Sequence, residues 1–119
     1  MGIAYNGVYL TWFEIGRTEL LRDTGLTYDD VEKSGYHLPL SETGIKYLKP
    51  ALYDDVLTIV ACVSMQKGAR LRFKYEIQRN GELLAEGFTE HVFTNSNLRP
   101  VKPPNHLINL DSRFAECND

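Results

Sequence analysis

The sequence lacks the features that a nucleic-acid, membrane or metal function would require. Its 13 basic residues are outnumbered by 16 acidic ones, and the formal net charge of −3 leaves no basic surplus to neutralise phosphates. No apolar run approaches the roughly 20 residues that span a bilayer. The three histidines form no HxxxH or HExxH pattern. We therefore expect no nucleic-acid partner, no membrane span and no metal site.

Cysteines and catalytic fingerprints are also scarce. The two cysteines, Cys62 and Cys117, give neither a zinc spacing nor a disulfide framework, and Cys62 lies in the apolar run of residues 58–63. We expect two unpaired thiols in a reducing cytoplasm, with Cys62 in the core. Residues 1–7 show neither the charged nor the apolar segment of a signal peptide. No nucleophile elbow, phosphate loop or dinucleotide fingerprint is present, so no cofactor is predicted.

A long helix is the strongest periodic feature that the sequence does contain. Within residues 8–22 the helix face at i, i+3, i+4, i+7 and i+11 consists of Tyr9, Trp12, Phe13, Gly16 and Leu20. Gly16 costs helix propensity, and its presence is most simply explained by a close approach of the helix to the surface beneath it. An aromatic helix face of this breadth predicts that the surface beneath the helix is a β-sheet.

The remaining elements complete a single α+β domain that comprises residues 1–119. Residues 27–33 predict a short second helix, because Thr27 and Asp30 resemble a capping box. The period then changes to two, which predicts strands near residues 37–48, 56–65, 70–78 and 83–94. Asn80-Gly81 joins the last two strands in a tight hairpin. We expect one antiparallel sheet wrapped on the long helix, with an open edge that another element should cover.

Residues 1–19, MGIAYNGVYLTWFEIGRTE, form a loop and helix that resemble the signature of the 4-hydroxybenzoyl-CoA thioesterase-like family. Residues 47–55 resemble the family's Tyr-x-x-Pro-Ala-x-x-x-Asp turn, and the resemblance continues through residues 73–77 and 85–92. It is closest to the bacterial Tol–Pal-cluster branch. The resemblance implies a hotdog fold, in which an antiparallel sheet wraps one long helix, and an acyl-CoA thioesterase activity.

The resemblance also implies where the reaction takes place. The backbone N–H groups of Gly7 and Val8, at the helix start, would hold the oxyanion of the thioester. Asn6 would orient the thioester or a water molecule but cannot move a proton, and Tyr5 either lines the pocket or packs as an aromatic. The family's catalytic Asp would lie two positions before Met1, so we expect this chain to lack that Asp and the N-terminal strand.

Two sets of charged residues have alternative interpretations. Basic residues at strand ends bind coenzyme A in many hotdog thioesterases, whereas basic residues in turns are otherwise mostly solvated; here they are Lys67, Arg70, Arg72 and Arg99. Glu14 and Arg17, at i and i+3, are expected to form a structural pair rather than a catalytic one.

The resemblance further implies a homodimer or homotetramer joined at the open sheet edge. Because the carboxylate is absent, the alternative function is a catalytically silent hotdog module that binds acyl-CoA or a protein partner. A dehydratase is a weaker alternative, since it needs a histidine near the helix and residues 1–36 contain none.

Overall fold

The computed structural model describes residues 8–23, 28–52 and 54–103. Within these ranges the elements are α1 (Val8–Asp23), α2 (Tyr28–Lys33), β1 (Leu40–Tyr47), β2 (Thr58–Lys67), β3 (Arg70–Arg79) and β4 (Glu82–Val92). The four strands form one antiparallel sheet in the order β1–β4–β3–β2. The predicted α+β class, the element order and the long first helix are confirmed.

Helix α1 packs on the inner face of the sheet through the predicted aromatic face. Tyr9, Phe13 and Leu20 are buried, and the Phe13 ring stacks on Tyr75 of β3 with ring centroids 4.4 Å apart. A Cβ atom on Gly16 would lie 2.9 Å from Cγ2 of Ile59 in β2, closer than real contacts allow. The close approach predicted from Gly16 is therefore confirmed.

The hairpin of β3 and β4 supplies most of the inner face of the sheet. Alternate residues of β3 are buried there, namely Leu71, Phe73, Tyr75 and Ile77. The turn between the strands has positive φ angles at both central residues, 52° at Asn80 and 81° at Gly81. This conformation matches the right-handed twist of antiparallel strands, and the predicted tight hairpin is confirmed.

The outer strands differ from their predicted bounds by a few residues. Strand β1 begins at Leu40 rather than at His37, because Pro39 has no N–H to contribute to a ladder. His37 forms only an isolated bridge with Thr94. The strand also contains a register shift between Leu40 and Glu42. The bounds of the other strands agree with the predictions within about two residues.

The prediction that Cys62 is an unpaired core thiol is wrong. The structure has Cys62 disulfide-bonded, and Cys117 lies outside the described residues. Alternate residues of β2 point to opposite faces, and Ile59 and Ala61 take the helix side. Cys62 is therefore on the outer face and only half-buried. The inference of a reducing compartment from two free thiols loses its basis.

The described sheet ends at β1 on one side and at β2 on the other. No described element covers the free edge of β2, and Val60 in this strand is 42% exposed. Within the described residues β1 and β2 each have only one neighbouring strand, so the open edge expected from the sequence is present on both sides of the sheet. In the part of the chain that the structure describes, no helix is long and apolar enough to cross a membrane.

The contact at Gly16 allows a direct test of the packing. We predict that Gly16→Val lowers the free energy of unfolding by about 1–3 kcal/mol, because the branched side chain would push α1 away from Ile59 and Ala61. Urea unfolding measures the change. Thr11→Val, at an exposed position of the same helix, is the matched control and should leave stability nearly unchanged. Equal stability of the two variants would contradict the packing assignment.

Candidate functional site

The first turn of α1 is held by the end of β1 and by the loop that follows it, which we call the β1–β2 loop (described residues 48–52 and 54–57). The Tyr9 ring meets the rings of Trp12 and Tyr47 edge-on, with centroids 4.8 Å and 5.0 Å away. The backbone N–H of Ala51 donates to Oη of Tyr9 at 3.4 Å. Tyr9 and Ala51 are both buried. The start of the helix therefore has a defined position against the sheet.

This helix start can stabilise a developing negative charge. Val8 is the first residue of α1, and the first four N–H groups of a helix have no acceptor within the helix. They point toward the positive end of the helix dipole, where an oxyanion is favoured. Of the four predicted catalytic residues the structure describes only Val8. Tyr5, Asn6 and Gly7 lie outside the described residues.

The four predicted coenzyme A ligands all lie within the described residues. Arg70 and Arg72 lie on the outer face of the sheet, where both bind the carboxylate of Glu90. Nη2 of Arg70 donates to this carboxylate at 3.1 Å and 3.2 Å, and Nε of Arg72 donates at 3.2 Å. Lys67 pairs with Arg70 in the β2–β3 ladder, so it belongs to the same end of the sheet.

The surroundings of this arginine pair limit its freedom. The Glu90 side chain is only 9% exposed, so its charge is compensated by the two guanidinium groups. The Arg72 guanidinium also lies 4.4 Å from the centroid of the Phe88 ring, and it reaches Glu42 at 3.5 Å. Arg99 lies in a separate exposed turn, where its N–H donates to Oδ1 of Asn95 at 3.1 Å. Binding of coenzyme A by these residues stays a prediction.

A buried polar chain crosses the inner face of the sheet, and sequence reasoning missed it. Oη of Tyr75 and Oγ1 of Thr89 are 2.6 Å apart, and Thr89 Oγ1 is 3.0 Å from Nε2 of His91. Nδ1 of His91 lies 3.2 Å from the carbonyl oxygen of Leu38. The Arg17 side chain hydrogen-bonds Tyr75. The signal available was the period of two, which places Thr89 and His91 on the same face of β4 as Ala85 and Gly87.

The hydrogen bonds of this buried polar chain all have the same direction from donor to acceptor. A carbonyl oxygen only accepts, so Nδ1 of a neutral His91 carries the proton and Nε2 accepts from Thr89. Thr89 then accepts from Tyr75, and Tyr75 accepts from Arg17. Burial raises the pKa of Tyr75 above its ordinary value. Arg17 is thus directed at the sheet, and its pairing with Glu14 stays a prediction.

Burial also controls the protonation of His91. Its side chain is 2% exposed, and removal from water lowers its pKa from 6.5 to about 4, with a further decrease from the nearby charge of Arg17. The imidazole is therefore neutral at pH 7. Within the described ranges, no group of three or more His, Cys, Asp or Glu side chains could hold a metal ion.

Comparisons with known proteins agree with one family. A family model described as the thioesterase-like superfamily matches residues 1–110. The chain is 32% identical to YneP of Bacillus subtilis, provisionally named an acyl-CoA thioesterase, over 86% of this chain and 75% of that protein. It is also 32% identical to ATL3 of Arabidopsis thaliana, named an acyl-acyl carrier protein thioesterase, over 99% of this chain and 63% of that protein.

A solved structure extends the agreement to three dimensions. The DHNA-CoA thioesterase of Staphylococcus aureus is 32% identical to the chain and matches it with a TM-score of 0.81. The match covers 86% of this chain and 70% of that one. The hotdog fold expected from the resemblance is confirmed.

The buried histidine gives the protein a defined acid sensitivity. The unfolded chain binds a proton at His91 below pH 6.5 while the folded chain resists it until about pH 4, so stability is lost as the pH falls through this window. We predict that the wild type loses about 3 kcal/mol more than His91→Gln between pH 7 and pH 4. Urea unfolding at several pH values measures the difference. Thr11→Val, which changes no titratable group, should retain the wild-type pH dependence.

Proposed function

The chain belongs to the thioesterase-like superfamily, and from this premise we propose that it hydrolyses acyl-CoA thioesters. The observation that carries the proposal is the match of the family model to residues 1–110, which includes residues 1–7 and the first turn of α1. Within the family we assign the chain to the bacterial Tol–Pal-cluster branch, on the resemblance of residues 1–19. The relatives named as thioesterases support the same reaction class.

The proposed reaction uses the start of α1 to hold the thioester. The N–H groups of Gly7 and Val8 donate to the carbonyl oxygen, and Asn6 orients the attacking water. Attack on the carbonyl carbon puts a negative charge on that oxygen, and collapse of the intermediate breaks the C–S bond and releases the coenzyme A thiolate. The proton lost by the attacking water passes to the coenzyme A thiolate, so the products are the carboxylic acid and the free thiol, and residues 5–8 contain no carboxylate or imidazole that would carry it.

We further propose that the protein is a homodimer or a dimer of dimers joined through the edge of β2. This edge has unpaired backbone groups and the exposed Val60, so it can extend the sheet into a second copy. Lys67, Arg70, Arg72 and Arg99 are the proposed ligands of the coenzyme A phosphates. Arg70 and Arg72 would bind these phosphates while they also hydrogen-bond the carboxylate of Glu90, which offsets part of their positive charge.

Hydrolysis by the 119-residue protein is the decisive measurement for the proposed function. A panel of acyl-CoA and acyl-carrier-protein thioesters, followed by thiol release, tests both carriers that the relatives' names include. Turnover of the acyl-CoA esters supports the proposal. Binding of acyl-CoA without turnover would favour the silent module instead, and turnover of the carrier-protein esters alone would replace the proposed substrate.

A proline at the start of α1 tests the oxyanion donors. Proline is well tolerated at the first helical position, yet it has no N–H, so Val8→Pro removes the donor while the helix is kept. We predict that kcat falls about 100-fold or more relative to Val8→Ala, which keeps the N–H and loses the same packing. Circular dichroism confirms the helix in both variants. Equal kcat values would contradict an oxyanion role for this group.

The basic residues are tested by a substrate that lacks the nucleotide. We predict that Lys67→Ala with Arg99→Ala raises the KM for acyl-CoA about tenfold or more, because charge-assisted bonds to phosphate are lost. The KM for the matching acyl N-acetylcysteamine thioester, which has no phosphate, should not change. An equal rise for both substrates would show that the residues act on the fold or on the acyl group, and not on the phosphates.

A further inference from the structure

A cluster of four charged side chains ties the β1–β2 loop to the hairpin of β3 and β4; we call it the Arg79 cluster (Arg79, Asp55, Glu82 and Lys49). Nη1 of Arg79 donates to Oδ2 of Asp55 at 2.8 Å, and its Nη2 donates to Oε1 of Glu82 at 3.0 Å. Nζ of Lys49 donates to the other oxygen of Glu82 at 2.6 Å. The guanidinium therefore bridges the loop and the hairpin with both of its terminal nitrogens.

The same side chains also fix the inside of the loop. Oδ2 of Asp55 accepts the backbone N–H of Leu52 at 2.7 Å, and Nη1 of Arg79 lies 3.5 Å from the carbonyl oxygen of Pro50. The Leu52 N–H, together with Arg79, holds the pKa of Asp55 below its ordinary value, so this carboxylate stays charged at neutral pH. The side chains of Asp55 and Arg79 are 17% and 24% exposed, which reduces screening by water.

Ala51 lies between the two anchored peptide groups and transmits their position to the helix. Pro50 on one side is bound by Arg79, and Leu52 on the other side is bound by Asp55. The N–H of Ala51 donates to Oη of Tyr9, the second residue of α1. A continuous set of contacts thus leads from the hairpin through the loop to the first turn of the helix.

We propose that Arg79 is a positioning residue that, through Asp55 and the β1–β2 loop, sets the place of Tyr9 and of the N–H groups at the start of α1. The catalytic consequence rests on the proposed function, because those N–H groups hold the oxyanion there. N–H donors of this kind stabilise an oxyanion only if they have the correct orientation before the substrate binds. A displacement of about 1 Å can lower the reaction rate about 100-fold. Arg79 itself does not touch the substrate.

Replacement of Arg79 by Met keeps the length of the side chain and removes the bridge. We predict that kcat per folded molecule falls roughly 10-fold to 100-fold while KM changes less than about threefold, since the groups that bind the rest of the substrate stay in place. Arg22→Met is the matched control. It removes an exposed ion pair with Glu19 at the opposite end of α1 and should leave kcat unchanged.

Trp12 gives an independent readout, because it is the single tryptophan and its ring contacts Tyr9. In Arg79→Met we expect a changed emission maximum and stronger quenching by acrylamide, together with faster hydrogen exchange at the Ala51 N–H. Arg22→Met should show the wild-type signals. This readout needs no activity, so it decides the positioning claim even if the wild type hydrolyses no thioester, an outcome that would refute the proposed function alone.

Conservative variants separate positioning from simple loss of stability. Arg79→Lys keeps the charge but cannot bridge two carboxylates with a planar fork, so it should recover kcat in part. Asp55→Ala should lower kcat as Arg79→Met does. The variant that combines both changes should have a kcat no lower than that of either single variant. If Arg79→Met does not fold, Arg79→Lys and Asp55→Asn take its place. Folded variants with unchanged Trp12 emission and unchanged kcat would overturn the proposal.

Discussion

The close contact between α1 and the sheet is the constraint on which the other features depend. Gly16 lets the helix backbone approach β2, and the Phe13 ring then stacks on Tyr75 at a centroid distance of 4.4 Å. A second glycine serves the same contact, since a Cβ on Gly87 of β4 would lie 2.7 Å from the Phe13 ring. Because the helix is held this closely, its first turn reaches the end of β1 and the loop that follows.

Tyr75, Thr89 and His91 are compatible with this core because the polar groups of all three are hydrogen-bonded. Tyr75 stacks on Phe13 with its ring and bonds Thr89 with its hydroxyl, so one residue serves both the apolar and the polar contacts. Thr89 in turn satisfies His91, whose other nitrogen reaches the carbonyl of Leu38. An unpaired hydroxyl or imidazole in this place would be costly, and the direction of the chain requires a neutral His91.

Of the two clusters of ion pairs in the sheet, only one holds the loop that contacts the start of α1. Arg70 and Arg72 share Glu90 on the outer face of the sheet, on the opposite side from the helix. The Arg79 cluster lies at the hairpin end and holds the loop that contacts Tyr9. Ion pairs at a protein surface contribute little to stability, so the second cluster matters chiefly for where it places the loop.

By itself the sequence determined the class, the order of the elements and the helix face, because these depend on local periodicity and turn chemistry at residues such as Phe13, Gly16 and Asn80. The resemblance supplied the family and the reaction class. Only the tertiary structure decided that Cys62 faces outward, that Arg17 reaches Tyr75, and that Arg79 binds Asp55. Those contacts join residues far apart in the chain, and no local pattern of charge or hydrophobicity specifies which distant partner a side chain meets.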